Sequence, residues 1–212
     1  YNMIQPNKPP LTPTTNQNKN YNLFVKNYSK NENFNNKKQT EHCFLSYYYS
    51  QDENKEYRDS MEDYYCIYHS KNKENSSIFG IFDGHSGYEV ASFLSTNYSK
   101  YFAKEIVKIK MSSNYLENCK NFTLATKKSF EEIDDNIMKN KNIKDEVGST
   151  GTIVFLYKDL YLPTQTKRMV ICANVGDSKG YLIKKNEIIQ ITKDHNCKDK
   201  IEVERIKNKG GL

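Results

Sequence analysis

The sequence predicts an α+β fold, an antiparallel β-sandwich flanked by helices. Three observations carry that expectation. The strand-like runs after residue 150 follow one another through short turns, the pattern of hairpins rather than of helical crossovers. Two long helical stretches each carry a single apolar stripe, so each covers a sheet on one side. Only 36% of the 212 residues are hydrophobic, and the mean hydropathy is −0.87, so part of the chain lies outside any core.

Residues 1–45 form that part. Asn, Lys, Pro and Thr dominate (PNKPPLTPTTNQNKNYN, then NENFNNKK). Leu23, Phe24 and Val25 follow no period, and a segment this poor in apolar residues cannot offset its ordering entropy. The expectation is a disordered 1–45 segment and a folded domain over 46–212, with Tyr47-Tyr48-Tyr49 as a strand lead-in. Residues 57–68 read as a strand, with Tyr64, Cys66 and Tyr68 on one face and Tyr65 and Ile67 on the other. Ser77–Phe82 reads as a short buried strand ending at Asp83-Gly84. Val90, Ala91, Leu94, Tyr98, Tyr101 and Phe102 recur at helical spacing and predict a helix over 87–107. Cys119, Phe122, Thr126, Phe130, Ile133 and Ile137 predict a second over 115–139. Strands follow at 150–157, 168–174, 180–184 and 187–191. An amphipathic helix over 199–209 ends at Gly210-Gly211.

Charge and cysteine narrow the function classes. The net charge is +6, and residues 1–45 hold six Lys against Glu32 and Glu41, so only +2 remains on the folded part. No nucleic-acid-binding face is expected from that balance. Charge breaks every long apolar run, so no membrane span is expected. The five cysteines (Cys43, Cys66, Cys119, Cys172, Cys197) are odd in number and contain no C-x-x-C pair. Reduced thiols in a cytoplasmic or nuclear setting are the simplest reading, with Cys172 a small core residue. His42 and His69 have no partner motif and are expected to be exposed.

Carboxylates mark the chemistry. Glu62 and Asp63 share a strand, Asp83 ends the next, and Asp177 and Asp194 flank later turns. Carboxylates meeting on one sheet rim repel unless a cation neutralises them, and hard oxygen ligands suit Mg²⁺ or Mn²⁺. Taken singly, each also fits a turn or cap role. The run Asp83-Gly84-His85-Ser86-Gly87 adds a hard ligand, an unobstructed carbonyl and a proton donor near neutral pH. Ser149 and Thr150 read as packing and turn residues. His195 with Asp194 reads as a loop-orienting pair.

Arg58 to Asp63 (RDSMED) resembles the R-x-x-M-E-D element of the metal-dependent protein Ser/Thr phosphatases of the PP2C type. Asp83 to Gly87 is similar to that family's D-G-H-x-G, Gly148 to Gly151 to its G-S-T-A, and Ala173 to Gly180 (ANVGDSKG) to its N-x-G-D-S-R. Ile191 to His195 is similar to its L-T-x-D-H, and Glu204-Arg205-Ile206 with Gly210-Gly211 to its E-x-x-R-I…G-G stretch. Six elements stand in the family's order over residues 55–212. The resemblance implies a four-layer α-β-β-α sandwich with two Mg²⁺ or Mn²⁺ ions at one end and a third, weaker one. By position, Asp83 would bridge the two ions, and Glu62 and the Gly84 carbonyl would complete one set of ligands. Asp63 would act through metal-bound water, and Asp177 would serve the third ion. Arg58 would clamp the substrate phosphate and His85 would be the general acid. The implied partners are phosphoprotein substrates.

Several positions depart from the pattern. Glu56 and Ser86 stand where Gly is common, Gly151 where Ala is, and Lys179 where Arg is. The family's pattern continues for roughly another hundred residues, in keeping with a domain of ordinary size, and there carries two more metal-binding Asp. An active phosphatase is thus expected from the whole domain and little activity from these 212 residues alone. The alternative is a pseudophosphatase or protein-binding module on the same fold.

Overall fold

A computed structural model describes residues 47, 49–69, 76–159 and 167–211. The segment 1–45, with His42 and Cys43, lies outside the described residues. Among the described residues, seven strands and three helices follow in the order β1 (Asp63–His69), β2 (Ser76–His85), α1 (Glu89–Ile106), α2 (Tyr115–Met138), β3 (Gly148–Ser149), β4 (Gly151–Asp159), β5 (Lys167–Val175), β6 (Tyr181–Lys184), β7 (Glu187–Gln190) and α3 (Lys200–Asn208). β1, β2, β4 and β5 make an antiparallel sheet in that order, with β3 added to the end of β2. β6 and β7 pair as a separate two-stranded ribbon.

Alternation along the strands decides where the core sits. Tyr64 and Cys66 of β1, Ile78 and Phe82 of β2, Ile153, Phe155 and Tyr157 of β4, and Met169 of β5 are all buried. They meet Val90, Ala91, Leu94, Tyr98 and Phe102 of α1 and Phe122 and Ile133 of α2 in one cluster. The Phe155 ring is the hub, 4.9 Å from Phe102 and 5.2 Å from Phe122 between centroids. α2 starts where Asn114 accepts hydrogen bonds from the N–H groups of Leu116 and Glu117, satisfying donors the helix leaves open. Asp199 caps α3 through the Ile201 N–H (2.9 Å) and pairs with Lys193 at 2.7 Å.

Both long helices and the strands from β4 onward lie within two residues of the sequence expectation. Several local expectations are corrected. The first strand begins at Asp63 and not at residue 57, because Asn54 takes a φ of 50° and its carbonyl accepts the N–H groups of Tyr57 and Arg58 in a turn. The second strand runs through His85, because Gly84 and His85 gain ladder partners in Ser149 and Gly148. His69 is half-buried rather than exposed, with its Nδ1 3.0 Å from Ser77 Oγ and its ring 5.4 Å from that of Tyr47. Tyr47 and Tyr49 belong to no strand, and the Tyr49 ring packs 4.6 Å from Tyr65. Cys172, expected as a small core residue, is half-buried.

Candidate functional site

β1 and β2 set the site by register. Asp63 is directly opposite Asp83, so the two carboxyl groups leave the same face of the sheet as cross-strand neighbours. Asp63 is exposed at the start of β1, yet partial desolvation of its carboxyl lifts it above the usual carboxylate range. The facing Asp83 lifts it further, by like charge and by a shared hydrogen bond, and Glu62 adds a smaller push. The Arg58 guanidinium opposes these effects. Arg58 is placed to do so by the turn at Asn54, itself closed by an Asn54 N–H to Asp52 Oδ1 bond of 2.9 Å. Arg58, Glu62, Asp63 and Asp83 are therefore electrostatic neighbours on one rim.

Backbone ties hold that rim together. The Gly84 N–H donates to the Glu62 carbonyl at 3.1 Å. Gly84 is buried, and a β-carbon there would stand 2.6 Å from the same carbonyl, so this close approach needs glycine. Glu62 Oε1 accepts from Ser60 Oγ at 3.3 Å. His85 is exposed and lies across from Gly148. Ser86 then takes a φ of 59° and Gly87 a φ of 143° before α1 begins. The serine at this usual glycine position thus adopts the left-handed turn that glycine takes without steric cost.

Thr150 is the joint that sequence reasoning undervalued. Its Oγ1 accepts from the Asp83 N–H at 3.1 Å and lies 2.8 Å from Ser178 Oγ, while its own N–H donates to the Asp83 carbonyl at 2.8 Å. Thr152 Oγ1 donates to the Ser178 carbonyl at 3.1 Å. The turn that carries Asp177 is thereby fastened to the strand that carries Asp83. Asn174 Nδ2 donates to the carbonyls of Gly176 and Lys193, and the His195 N–H donates to the Gly176 carbonyl. Lys179 pairs with Asp194 at 2.8 Å and holds that carboxyl below its usual range. The pairings reach across 67, 28 and 26 positions. The only sequence signal is hydroxyl residues beside Asp83's and Asp177's motifs.

The structure therefore brings Arg58, Glu62, Asp63, Asp83 and Gly84 to one rim, places His85 at the end of the same strand, and leaves Asp177 exposed on the adjoining turn. Among the described residues, no three His, Cys, Asp or Glu form a group that could hold a metal ion. The facing carboxyls of Asp63 and Asp83 are a pair of hard-oxygen donors, and their mutual repulsion is what a divalent cation relieves.

The family model for Protein phosphatase 2C matches residues 47–212. A probable protein phosphatase of Dictyostelium discoideum is 34% identical over 148 residues, which is 66% of this chain and 15% of that protein. Probable protein phosphatase 2C 7 of Oryza sativa is 32% identical over 158 residues, covering 73% of this chain and 37% of its own length. The chain spans half or less of the curated relatives it matches. Among solved structures, a Toxoplasma gondii phosphatase aligns with a TM-score of 0.51 at 20% identity, over 72% of this chain and 54% of that one. A C. elegans sex determining protein aligns with a TM-score of 0.57 at 22% identity, over 73% and 36%. These two show the fold. With the family model laid over all of the described residues, this chain belongs to the protein phosphatase 2C family.

Proposed function

We propose that the protein is a metal-dependent protein serine/threonine phosphatase that hydrolyses phosphoserine and phosphothreonine. The observation that supports this reading is the Asp63–Asp83 carboxyl pair facing across β1 and β2, with Arg58 beside it and His85 on the same strand.

The family is metal-dependent. The donors on this rim fit such ions in kind, since they are hard oxygens whose negative charges are crowded together. Asp83, Glu62 and the Gly84 carbonyl would hold them, with Asp63 beside Asp83 and Asp177 serving a further ion. Bound Mg²⁺ or Mn²⁺ supplies Lewis acidity and lowers the pKa of water.

The chain's own residues supply the rest. Arg58 offers a planar fork of N–H donors that matches two phosphoryl oxygens and offsets their charge. His85 gives a proton to the departing Ser or Thr oxygen, which leaves poorly as an alkoxide. The Gly84–Glu62 backbone bond and the Thr150 hydroxyl keep Asp83 in place while charge on the phosphoryl group shifts.

The test uses the complete protein with Mn²⁺ and a phosphothreonine peptide. Phosphate release that Asp83→Asn abolishes is the expected result. No Asp83-dependent release would instead leave a protein-contact role on the same fold.

A further inference from the structure

The His85 imidazole lies over Gly148. The two residues are paired directly across β2 and β3. A β-carbon on Gly148 would overlap His85 Nε2 and stand 2.6 Å from Cε1 and 3.3 Å from Cδ2, and the three atoms it would meet first all belong to that one ring. We propose that Gly148 is the seat of the His85 imidazole, a positioning residue whose missing side chain fixes where the proton donor sits.

Two contrasts sharpen the inference. At Gly84 the first atom an added carbon would meet is backbone, the Glu62 carbonyl, so a side chain there must move the main chain. At Gly148 the nearest atoms it would meet are the far end of a side chain. Moreover Gly87, Gly176 and Gly210 have positive φ, whereas Gly148 does not. Neither conformation nor main-chain space requires glycine at 148. Only the imidazole does. Alanine should leave the fold intact and displace the ring. The catalytic meaning of the seat rests on the phosphatase reading, whereas the seat itself rests on geometry alone.

The experiment compares wild type, Gly148→Ala, His85→Gln and the double variant of the complete protein, with Mn²⁺ for turnover and with diamagnetic Mg²⁺ for the resonances. Two substrates are used. A phosphothreonine peptide releases an alkoxide that needs a proton donor, while p-nitrophenyl phosphate releases a stable phenolate that does not. Gly148→Ala should keep the wild-type melting temperature, shift the His85 ring resonance, and lower peptide turnover by about 10- to 100-fold, toward the low end of what general acid catalysis supplies. Turnover of p-nitrophenyl phosphate should fall far less. Adding Gly148→Ala to His85→Gln should cost nothing more, since residues acting through one group are non-additive. In the wild-type protein an NOE should join His85 Hε1 to the Gly148 α-protons, a readout that stands even where the variant does not fold. An absent NOE, an unmoved ring resonance, equal losses on both substrates or an additive double variant overturns the proposal. A wild-type protein that turns over neither substrate overturns the phosphatase reading, and the NOE and ring resonance then still decide the seat.

Discussion

Asp63 carries a pH signature that follows from its partner. Its carboxyl, on an exposed residue, is held above the ordinary value of 3.8 by partial desolvation and by Asp83. As pH rises past that value, the unfolded chain releases its proton first while the folded state retains it. The unfolded state then binds fewer protons, so stability falls with pH until the folded carboxyl also ionises. In the presence of a chelator, Asp63→Asn should flatten this decline and raise the melting temperature at neutral pH, whereas at a pH below the carboxyl range it should change little. Thermal melts across that range check the sign. Gly84 makes the complementary case. Gly84→Ala forces a methyl against the Glu62 carbonyl, and overpacking of a buried site costs about 1–3 kcal/mol. Denaturant unfolding should show that loss, with the β1–β2 rim and its activity damaged together.

Elements were legible where their signal is local. The α1 stripe of Val90, Ala91, Leu94, Tyr98 and Phe102 is buried as its spacing foretells. Asn114, at the start of α2, binds two helix N–H groups, and Asn114→Ala should cost about 1 kcal/mol in urea unfolding while leaving catalysis alone. Phe155 tests the helix–sheet interface. It is 1% exposed and touches Phe102, Phe122 and Tyr157, so Phe155→Ala should cost about 3–5 kcal/mol. What the sequence hid is non-local. The run from Tyr57 to Glu62 reads as a strand only by continuity with the alternation of residues 64–68, yet the Asp52–Asn54 turn holds it out of the sheet. The extension of β2 to His85 depends on Gly148 and Ser149, more than sixty positions away. The carboxylates and the histidine of the site announce themselves by type, but the Thr150 hydroxyl and the Gly148 seat acquire meaning only once the strands are paired.

At the scale of the whole molecule, the two faces of the main sheet differ. One is covered by α1 and α2. The other carries Phe79, Ile81, Val154, Leu156 and Val170 by strand alternation, and there Ile81 is 57% and Val170 48% exposed. Apolar side chains at this density on an accessible sheet face favour association, because burying them removes about 25 cal/mol for each Å² taken from water. A chain of these 212 residues should therefore sediment as a concentration-dependent mixture of species and bind an apolar dye. Ile81→Lys with Val170→Lys should shift it toward monomer and weaken dye binding. The helical circular dichroism should not change, because α1 and α2 pack on the opposite face. Loss of helical signal in the double variant would mean that this face is already part of a packed core. An unchanged sedimentation profile would mean that the two residues lie outside the associating surface.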